Sequence, residues 1–450
     1  MNASNTRTRR ENVHEVSVAP DGASVFEAPR KTRVAAEVDV LVVGGGPAGV
    51  GAALAAGREG ARTLLVERHG MLGGMWTAGL VNPMFEFNRK GWVVAELIRR
   101  LESEGAWRPH RSRSTFDVDT MARTLEAMMA EAKAEFWYHV LMADTIIEQG
   151  RVRGAIVEGK AGREAILAKV VVDCSGDGDA AARAGAPYEL GRMTDGLMQP
   201  MTLMFEIEGI GGYAQERQPE IYDVMVKTIE QHNLKIQLPF GRVNYTPAII
   251  LTPRRDSAAV QATHVYRLNG LDPRDVTKGI VDARKQARDL VEVMRHMPGL
   301  ENVRLIRTAP TLGIRETRRV CGQYQLTLDD LAEGRRFEDA VTFCAFGVDI
   351  HEPAPGAGVP SGHGARMKPY EIPYRCLVPQ GVEQLLVAGR CISGSHEAHA
   401  SYRVTGVCMA MGQAAGLAAA WAAKEGRPPS SLPGQGLRRM LAERGVGFLE

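Results

Sequence analysis

The first strong pattern along the chain is an apolar run from Val38 to Val43 that ends in glycines. Such a short, nearly continuous run is typical of a strand buried on both faces. Pro47 follows where the first turn of a helix tolerates a missing N–H, and Ala-rich sequence continues to Gly60, a natural helix stop. The segment ARTLLVER then has the pattern of a second strand. Together these residues predict a β-α-β unit of about thirty residues.

Two amphipathic helices are predicted next, from apolar residues at helical spacing. Their apolar faces comprise Val93, Val94, Leu97, Ile98 and Leu101 in the first, and Met121, Leu125, Met128 and Met129 in the second. Asp117 or Asp119 is the predicted N-cap of the second helix. Residues 138–172 alternate turn signals with β-rich runs, and they predict a small sheet that returns to the main one.

The pattern changes between residues 196 and 370, which we interpret as an inserted substrate domain. Possible strands (TLMFEIEG and AAVQATHVYRL) alternate there with loops and one long helix. The apolar stripe of that helix comprises Val276, Ile280, Ala283, Ala287, Leu290, Val291 and Met294. The strand-like QLLVAG and the Ala/Gly/Met-rich residues 404–423 then return to the pattern of the residues before the insertion. We therefore divide the chain into an arm (1–36), a main domain in two parts (37–195 and 371–450) and the insertion (196–370).

Composition excludes several classes of protein. The chain has 450 residues, 44% of them hydrophobic and 24% charged, and a formal net charge of +2, which gives no indication of nucleic-acid binding. Residues 1–33 lack a signal-peptide core and the other apolar stretches are broken, so we expect no membrane partner. Six scattered cysteines without C-x-x-C disfavour a zinc ribbon, an iron–sulfur cluster and a vicinal disulfide. Reduced thiols in a cytoplasmic enzyme are the simplest interpretation.

The glycines after the first strand have the spacing of a dinucleotide-binding turn. Gly44-x-Gly46-x-x-Gly49 lies between the predicted strand and helix, where glycines permit a tight turn and the helix N-terminus faces a pyrophosphate. Glu67 ends the second strand, 23 residues after Gly44, where a carboxylate can bind an adenosine ribose hydroxyl. A carboxylate there also disfavours the 2′-phosphate of NADP.

Further motifs carry a resemblance to a known family. They are VDVLVVGGGPAG, ERHGMLGG, VVDCSGDGDAAARAGAPYE, LGIRETRRVCGQY, IPYRCLVP and LLVAGRCISGSHEAHASYRVTGVCMAMGQAAG. The chain resembles the FAD-dependent oxidoreductases of the glutathione-reductase-type Rossmann superfamily, distantly similar to fumarate reductase flavoproteins, over roughly residues 36–423. The resemblance implies an α/β fold: a glutathione-reductase-type Rossmann FAD-binding domain with an inserted α+β substrate domain. We expect noncovalent FAD, because His69 cannot be placed at the ring's 8α-methyl group.

The resemblance also implies which residues hold FAD. At the pyrophosphate and adenosine it places Gly44, Gly46, Ala48, Gly49, Glu67, Arg68, Leu141, Met142, Ser175, Gly176 and Asp177. Along the ribityl chain and at the ring it places Gly73, Gly74, Met75, Gly389, Arg390, Val404, Thr405 and Gly406. Many relatives carry an acidic residue where Arg390 stands, and that carboxylate holds a ribityl hydroxyl. Here the contact must come from backbone or from elsewhere.

Polar segments supply the candidates for substrate chemistry. HEAHAS is not H-E-x-x-H and lacks a third ligand, so we expect no metal. No G-x-S-x-G elbow indicates a hydrolase. The candidates for proton transfer or anion binding are His351 and Glu352 in GVDIHEPAP, Arg315 in IRETRR, and His396, His399 and Arg403 in residues 389–406.

We favour His351 and His399 for acid–base work, because the reference pKa of histidine suits it. Arginine is the natural anchor for a substrate carboxylate, so we favour Arg315 or Arg403 for that role. Structural roles remain open alternatives. The histidines can satisfy buried carbonyls, and the IRETRR segment can form an Arg–Glu–Arg network on the surface.

The missing motifs narrow the reaction. No second G-x-G-x-x-G follows a strand, which disfavours a reductase with its own NAD(P)H domain, and no GDAAH-type segment indicates a hydroxylase. We predict hydride transfer between a small organic substrate and flavin N5, by a dehydrogenase, oxidase or alkene reductase. Two alternatives stay open: a reduced-flavin enzyme that catalyses hydration or elimination, and a flavoprotein subunit that passes electrons to a partner. A homo-oligomer is open as well.

Overall fold

The computed structural model describes residues 16–109, 113–211, 213, 221–241, 248–254, 256–354 and 367–450. Residues 1–15 of the predicted arm lie outside these ranges. In chain order, strands β1 to β20 are Val16–Val18, Val25–Glu27, Arg33–Val43, Thr63–Glu67, Pro83–Phe85, Trp107–Arg108, Arg113–Phe116, Glu135–Tyr138, Leu141–Glu148, Arg151–Gly159, Gly162–Asp173, Tyr188–Leu190, Phe205–Glu208, Ala248–Leu251, Ser257–Gln261, Arg304–Thr308, Arg318–Val320, Ala340–Cys344, Tyr370–Pro373 and Leu385–Val387. Helices α1 to α10 are Pro47–Arg58, Trp92–Ser103, Val118–Glu131, Asp179–Arg183, Ile221–Gln231, Pro273–Arg295, Leu328–Glu333, His396–Tyr402, Thr405–Glu425 and Gly434–Glu443.

The main sheet has the strand order β8-β4-β3-β11-β10-β9, and β20 also pairs with β11. Strands β8, β4, β3, β11 and β20 are parallel, whereas β10 and β9 are antiparallel. The first half of β11 pairs with β10 and its last three residues pair with β20. The predicted β-α-β unit is therefore β3-α1-β4. Strand β3 starts earlier than the apolar run indicated, at Arg33, because its outer half pairs with β11 at Glu164.

Helix α9 lies along α1 with the two backbones in direct contact. A Cβ atom at Gly412 would stand 1.9 Å from the carbonyl oxygen of Ala48, and one at Gly416 would stand 2.0 Å from that of Ala52. Only glycine permits this approach. Of the described helices, α9 alone is long and apolar enough to cross a membrane, but 94% of that stretch is buried inside the protein, as expected of a core helix.

Helix α3 is tied at its start to the inserted segment. Asp117, one of the two predicted caps, is the N-cap, and its carboxylate accepts a hydrogen bond from the backbone N–H of Thr120 at 2.9 Å. Arg254 pairs with the same carboxylate and with Asp119. The cap therefore both starts α3 and anchors the segment that follows β14.

The inserted segment has its own sheet, with the antiparallel order β14-β15-β13-β16. This sheet shares an apolar core with α5 and α6, formed among others by Phe205, Val260, Met225 and Leu290. The predicted stripe of α6 is buried from Ala283 onward. The predicted α/β fold class is confirmed, with an α+β segment inserted in it, while the residue limits of the domains stay a prediction.

Candidate functional site

A cavity of ≈ 500 Å³ opens at the carboxyl ends of β3, β4 and β11, where Val43, Val66 and Cys174 line it. Ligands of open α/β sheets bind outside the carboxyl ends of the strands. The far end of the cavity is lined by Thr202 and Gln261 of the inserted segment. The cavity therefore joins the main sheet to the second one.

The glycine turn after β3 forms a cradle. Gly44 has a φ of +96°, which favours glycine. Gly46 is the N-cap of α1, and a Cβ atom built there would meet nothing within 4 Å, because its position opens on the cavity. Pro47 occupies the first turn, which carries no acidic residue. The positive end of the α1 dipole is therefore free to face an anion such as a pyrophosphate.

Most of the residues predicted to hold FAD line this cavity; Gly49, Gly73 and Gly406 lie behind its wall. A Cβ atom at Gly49 would stand 1.8 Å from the carbonyl oxygen of Gly44. One at Gly406 would stand 2.3 Å from that of Phe85. Gly73 has a φ of +101°, and its N–H donates to Gly45 at 2.8 Å. These three glycines permit the close backbone packing on which the cradle depends.

Glu67 supplies a buried carboxylate to the cavity at the end of β4. One oxygen accepts from the N–H of Gly45 at 2.6 Å, and the other accepts from the N–H of His69 at 2.7 Å. Carboxylate oxygens can accept more than one hydrogen bond each. The group therefore holds the glycine turn and keeps capacity for the hydroxyls of a ribose.

Arg390 pairs with Asp177 across the cavity wall, at 2.7 Å. Thr317 donates to the same carboxylate oxygen at 2.5 Å. Although burial acts to raise the pKa of Asp177, Arg390 and Thr317 lower it overall. Arg390 and Thr317 therefore hold the Asp177 carboxylate in one place at the cavity wall.

Thr405 marks the opposite wall, at the N-terminus of α9. Its hydroxyl oxygen is buried without a hydrogen-bond partner among the described residues, and the residue lines the cavity. Two helix N-termini, the Glu67 carboxylate and this hydroxyl form a donor and acceptor set that fits an elongated dinucleotide such as FAD.

Arg315 lies at the far end of the cavity and is almost fully buried. Its Nη1 atom donates to the carbonyl oxygen of Pro200 at 2.6 Å and to the hydroxyl of Thr202 at 2.8 Å. These bonds hold the guanidinium in one orientation. The sequence also allowed a surface network for IRETRR, and that alternative is wrong, because Glu316 and Arg319 are buried too.

His351 lines the same end and contacts a second histidine. Its Nδ1 atom lies 3.1 Å from Nε2 of His264, and its Nε2 lies 3.5 Å from an oxygen of Asp349. Burial and the charge of Arg315 lower the pKa of His351 to about 4, against the opposing effect of Asp349. Burial and Arg315 also lower the pKa of His264. Both rings are therefore neutral near pH 7.

Arg403, at the end of α8, completes this group. Its Nη2 donates to the carbonyl oxygen of Asp349 at 2.9 Å and lies 3.3 Å from the carboxylate. Although burial acts to raise the pKa of Asp349, His351 and Arg403 hold it well below its usual range. Two guanidinium groups thus face one carboxylate and neutral imidazoles, which leaves a net positive charge.

Three of the residues predicted for substrate chemistry lie outside the lining of the cavity: His396, His399 and Glu352. His396 contacts Glu316, with Nδ1 2.8 Å from the carboxylate, and His399 is completely buried on the same helix. Glu352 is half-buried. Among the described residues, no three His, Cys, Asp or Glu side chains are grouped as metal ligands.

The sequence did not single out Asp349, Thr202 or Gln199, although each contacts a predicted residue. Asp349 lies two positions before His351, and in extended backbone such residues share one side, so this spacing was a usable signal. Thr202 and Gln199 are single polar residues among apolar ones, and no local pattern marks them.

The model of the family described as FAD dependent oxidoreductase matches residues 39–441. The chain belongs to this family. The predicted cofactor FAD and the predicted enzyme class, an oxidoreductase, are thereby confirmed for this FAD dependent oxidoreductase, while the reaction itself is left open.

Two curated relatives match only part of this FAD dependent oxidoreductase. A thiamine thiazole synthase of Aeropyrum pernix is 36% identical over 121 residues, which is 26% of this chain and 43% of the relative. Digeranylgeranylglycerophospholipid reductase 1 of Methanopyrus kandleri is 31% identical over 158 residues, or 31% of this chain and 40% of the relative. The matched stretch thus spans less than half the length of either relative.

Among solved structures, the flavin-dependent brominase Bmp2 covers 91% of this chain and is covered to 83%, with a TM-score of 0.50 and 12% identity. At this identity the likeness shows the fold alone. It supports the α/β fold of this FAD dependent oxidoreductase.

Proposed function

We propose that this chain uses noncovalently bound FAD to transfer hydride to or from a small organic anion. The proposal depends mainly on one observation. A single cavity is lined by the glycine turn and Glu67 and also by Arg315, His351 and Arg403. Cofactor and substrate groups would therefore meet in the same cavity.

The charge at the far end supports an anionic substrate. Arg315 and Arg403 outweigh the single charge of Asp349, since the nearby histidines are neutral. A guanidinium offers a planar fork of donors that matches a carboxylate. Because Arg315 is already oriented by Pro200 and Thr202, it would bind a carboxylate with little loss of side-chain entropy.

Bound FAD would supply the two-electron chemistry of the reaction. The residues that would hold it are those of the glycine cradle, Glu67, Asp177 and Thr405. At the substrate end, Arg403 is itself held by Asp349, so both arginines are preorganised. These groups suit the oxidation of a hydroxy or amino acid. They also suit hydride transfer in the opposite direction, which would reduce an unsaturated acid. His69 lies beside Glu67, where the adenosine ribose and not the flavin ring would bind, and this supports noncovalent binding.

An absorption spectrum before and after acid precipitation tests the cofactor, with released FAD expected in the supernatant. Anaerobic addition of hydroxy, amino and unsaturated acids, the last to prereduced protein, tests the reaction. We expect an acid, but not its neutral ester, to change the flavin spectrum. The Arg315→Gln variant should lose this response at least tenfold while it keeps FAD, and Arg304→Gln, an exposed arginine on β16, is the matched control. Equal reaction of acid and ester would overturn the proposal.

A further inference from the structure

One face of α8 carries three polar side chains toward the interior. His396, His399 and Arg403 are spaced three and four residues apart, so they lie above one another on the same side of the helix. Opposite them lie Glu316 and Gln199. His396 contacts Glu316 at 2.8 Å, Arg403 contacts Gln199 at 3.4 Å, and the N–H of Gln199 donates to Glu316 at 3.2 Å. His399 is between the two contacts.

Five buried polar atoms of this group have no hydrogen-bond partner among the described residues. They are Nε2 of His396, Nδ1 and Nε2 of His399, Nε of Arg403 and Nε2 of Gln199. A buried polar atom left unsatisfied costs about 1–3 kcal/mol. Their concentration between α8 and the two residues opposite it, Glu316 and Gln199, indicates that a polar group or molecule belongs there.

The donors and acceptors identify the occupant. Glu316 faces Arg319 and His396, and a carboxylate can only accept, so Nδ1 of His396 donates to it. Nε of Arg403 and Nε2 of Gln199 only donate, and a neutral His399 both donates and accepts. Burial and then the charge of Arg403 lower the pKa of His399, so it is neutral. The occupant must both donate and accept, which water does and a simple anion does not.

We propose that ordered water bonds these five atoms and carries the substrate's proton from the Arg403 end of the cavity to Nε2 of His396. Arg403 connects the cavity to these atoms, since its Nη2 bonds Asp349 at the cavity while its Nε is one of the five unpartnered atoms. An imidazole oriented by a carboxylate on one nitrogen is the usual arrangement of a histidine base. Glu316 is then a positioning residue, because it acts through His396.

The step rests on the proposed function and balances with it. The hydroxyl or amine hydrogen of the substrate leaves as a proton, water accepts it and gives up one of its own, and an N–H bond forms on His396. In the same oxidation the substrate carbon gives up a hydride, which FAD would accept, and the C–O or C–N single bond becomes a double bond. Charged and titratable groups around His396 are Glu316, Arg319, His399, Arg390, Arg403 and Asp195.

Two measurements on the FAD-loaded protein need no substrate. A crystal structure that shows water should place a molecule within hydrogen-bond distance of Nε2 of His396 and of a second of the five unpartnered atoms. NMR of ¹⁵N-histidine-labelled protein should show His396 protonated on Nδ1, and taking a proton on Nε2 as the pH is lowered. Protein atoms bonded to Nε2, or a resting proton on Nε2, would overturn the proposal even if an acid substrate is found.

Kinetics supply the third measurement. With an acid that reduces the flavin, His396→Gln should slow reduction by roughly 10²- to 10⁴-fold, remove one limb of the pH profile and retain FAD. His296→Gln, at an exposed histidine that directly follows α6 in the inserted segment, is the matched control. An unchanged rate and pH profile would overturn the role of His396, and an absence of any reacting acid would instead count against the proposed function.

Discussion

Replacing Gly46 by alanine separates the stability of the fold from the capacity to bind FAD. Gly46 has a φ of −70°, which any residue adopts, and its Cβ position meets no atom within 4 Å. The apoprotein should therefore tolerate the methyl group, or gain about 0.4–1 kcal/mol because alanine restricts the unfolded chain. The same methyl group would stand in the cradle where a pyrophosphate approaches the N-terminus of α1.

The expected loss of affinity follows from overpacking. An extra methyl group in a close-packed contact costs about 1–3 kcal/mol, which corresponds to a dissociation constant roughly 5- to 150-fold higher. FAD titrated into apoprotein, followed by the quenching of flavin fluorescence, measures this constant, and thermal unfolding of the apoprotein measures stability.

Gly241→Ala is the matched control, because its Cβ also meets nothing within 4 Å and the residue lies outside the lining of the cavity. Gly241→Ala should leave the dissociation constant of FAD unchanged, and it should change the stability of the apoprotein by no more than the small entropic gain. Unchanged FAD affinity in Gly46→Ala would refute the location of the cradle. A destabilised apoprotein would show that the position is not open.

Three further substitutions test other parts of the structure. Gly412→Ala should destabilise the apoprotein by at least about 1–3 kcal/mol in thermal unfolding, because the methyl group would meet the backbone of α1. Asp117→Ala should cost about 0.5–2 kcal/mol in urea unfolding, because the cap of α3 is lost. The pKa of His351 is about 4 when folded and about 6.5 when unfolded. Because the unfolded chain binds the proton more tightly, the free energy of unfolding should fall on acidification by about 2 kcal/mol from pH 7.5 to pH 5, with the stability that His351 contributes fully present above pH 6.5. The His351→Asn variant should lose this part of the pH dependence.

Each of these expectations has a result that contradicts it. An unaltered melting temperature in Gly412→Ala would mean that α1 and α9 are not in backbone contact. Equal stability of Asp117→Ala and the parent protein would mean that water replaces the cap without cost. If His351→Asn keeps the full pH dependence of urea unfolding, the fall in stability arises from His264, His399 or other groups.

The sequence predicted those parts of the fold that depend on local pattern. The unit β3-α1-β4, the Asp117 cap and the stripe of α6 each follow from side chains within one element, and so does the cradle at Gly44 and Gly46. A turn that needs glycine, or a helix with one apolar side, is specified by neighbours in the chain. These predictions therefore needed no knowledge of tertiary packing.

The arrangement of the substrate end could not be predicted in this way. Whether His399 reaches the cavity depends on the rotation of α8 against Glu316, which comes from a segment about eighty residues away. The burial of Glu316 and Arg319 depends on the same packing. Sequence pattern identified the polar segments, but only the packing decides which side chains they present to one another.

The divided pairing of β11 has a consequence for biosynthesis. The last residues of β11 pair with β20, and α1 packs against α9, so both elements are synthesised long before their partners. Between Asp173 and Leu385 there are 211 residues. At 5–20 residues per second, a ribosome needs about 10 to 40 seconds to translate that interval. During it the nascent chain exposes an apolar strand edge and the small-residue face of α1, while the inserted sheet, with its own core, can already fold. Chaperones that shield unfinished sheets would therefore act on the first 180 residues and not on the insertion.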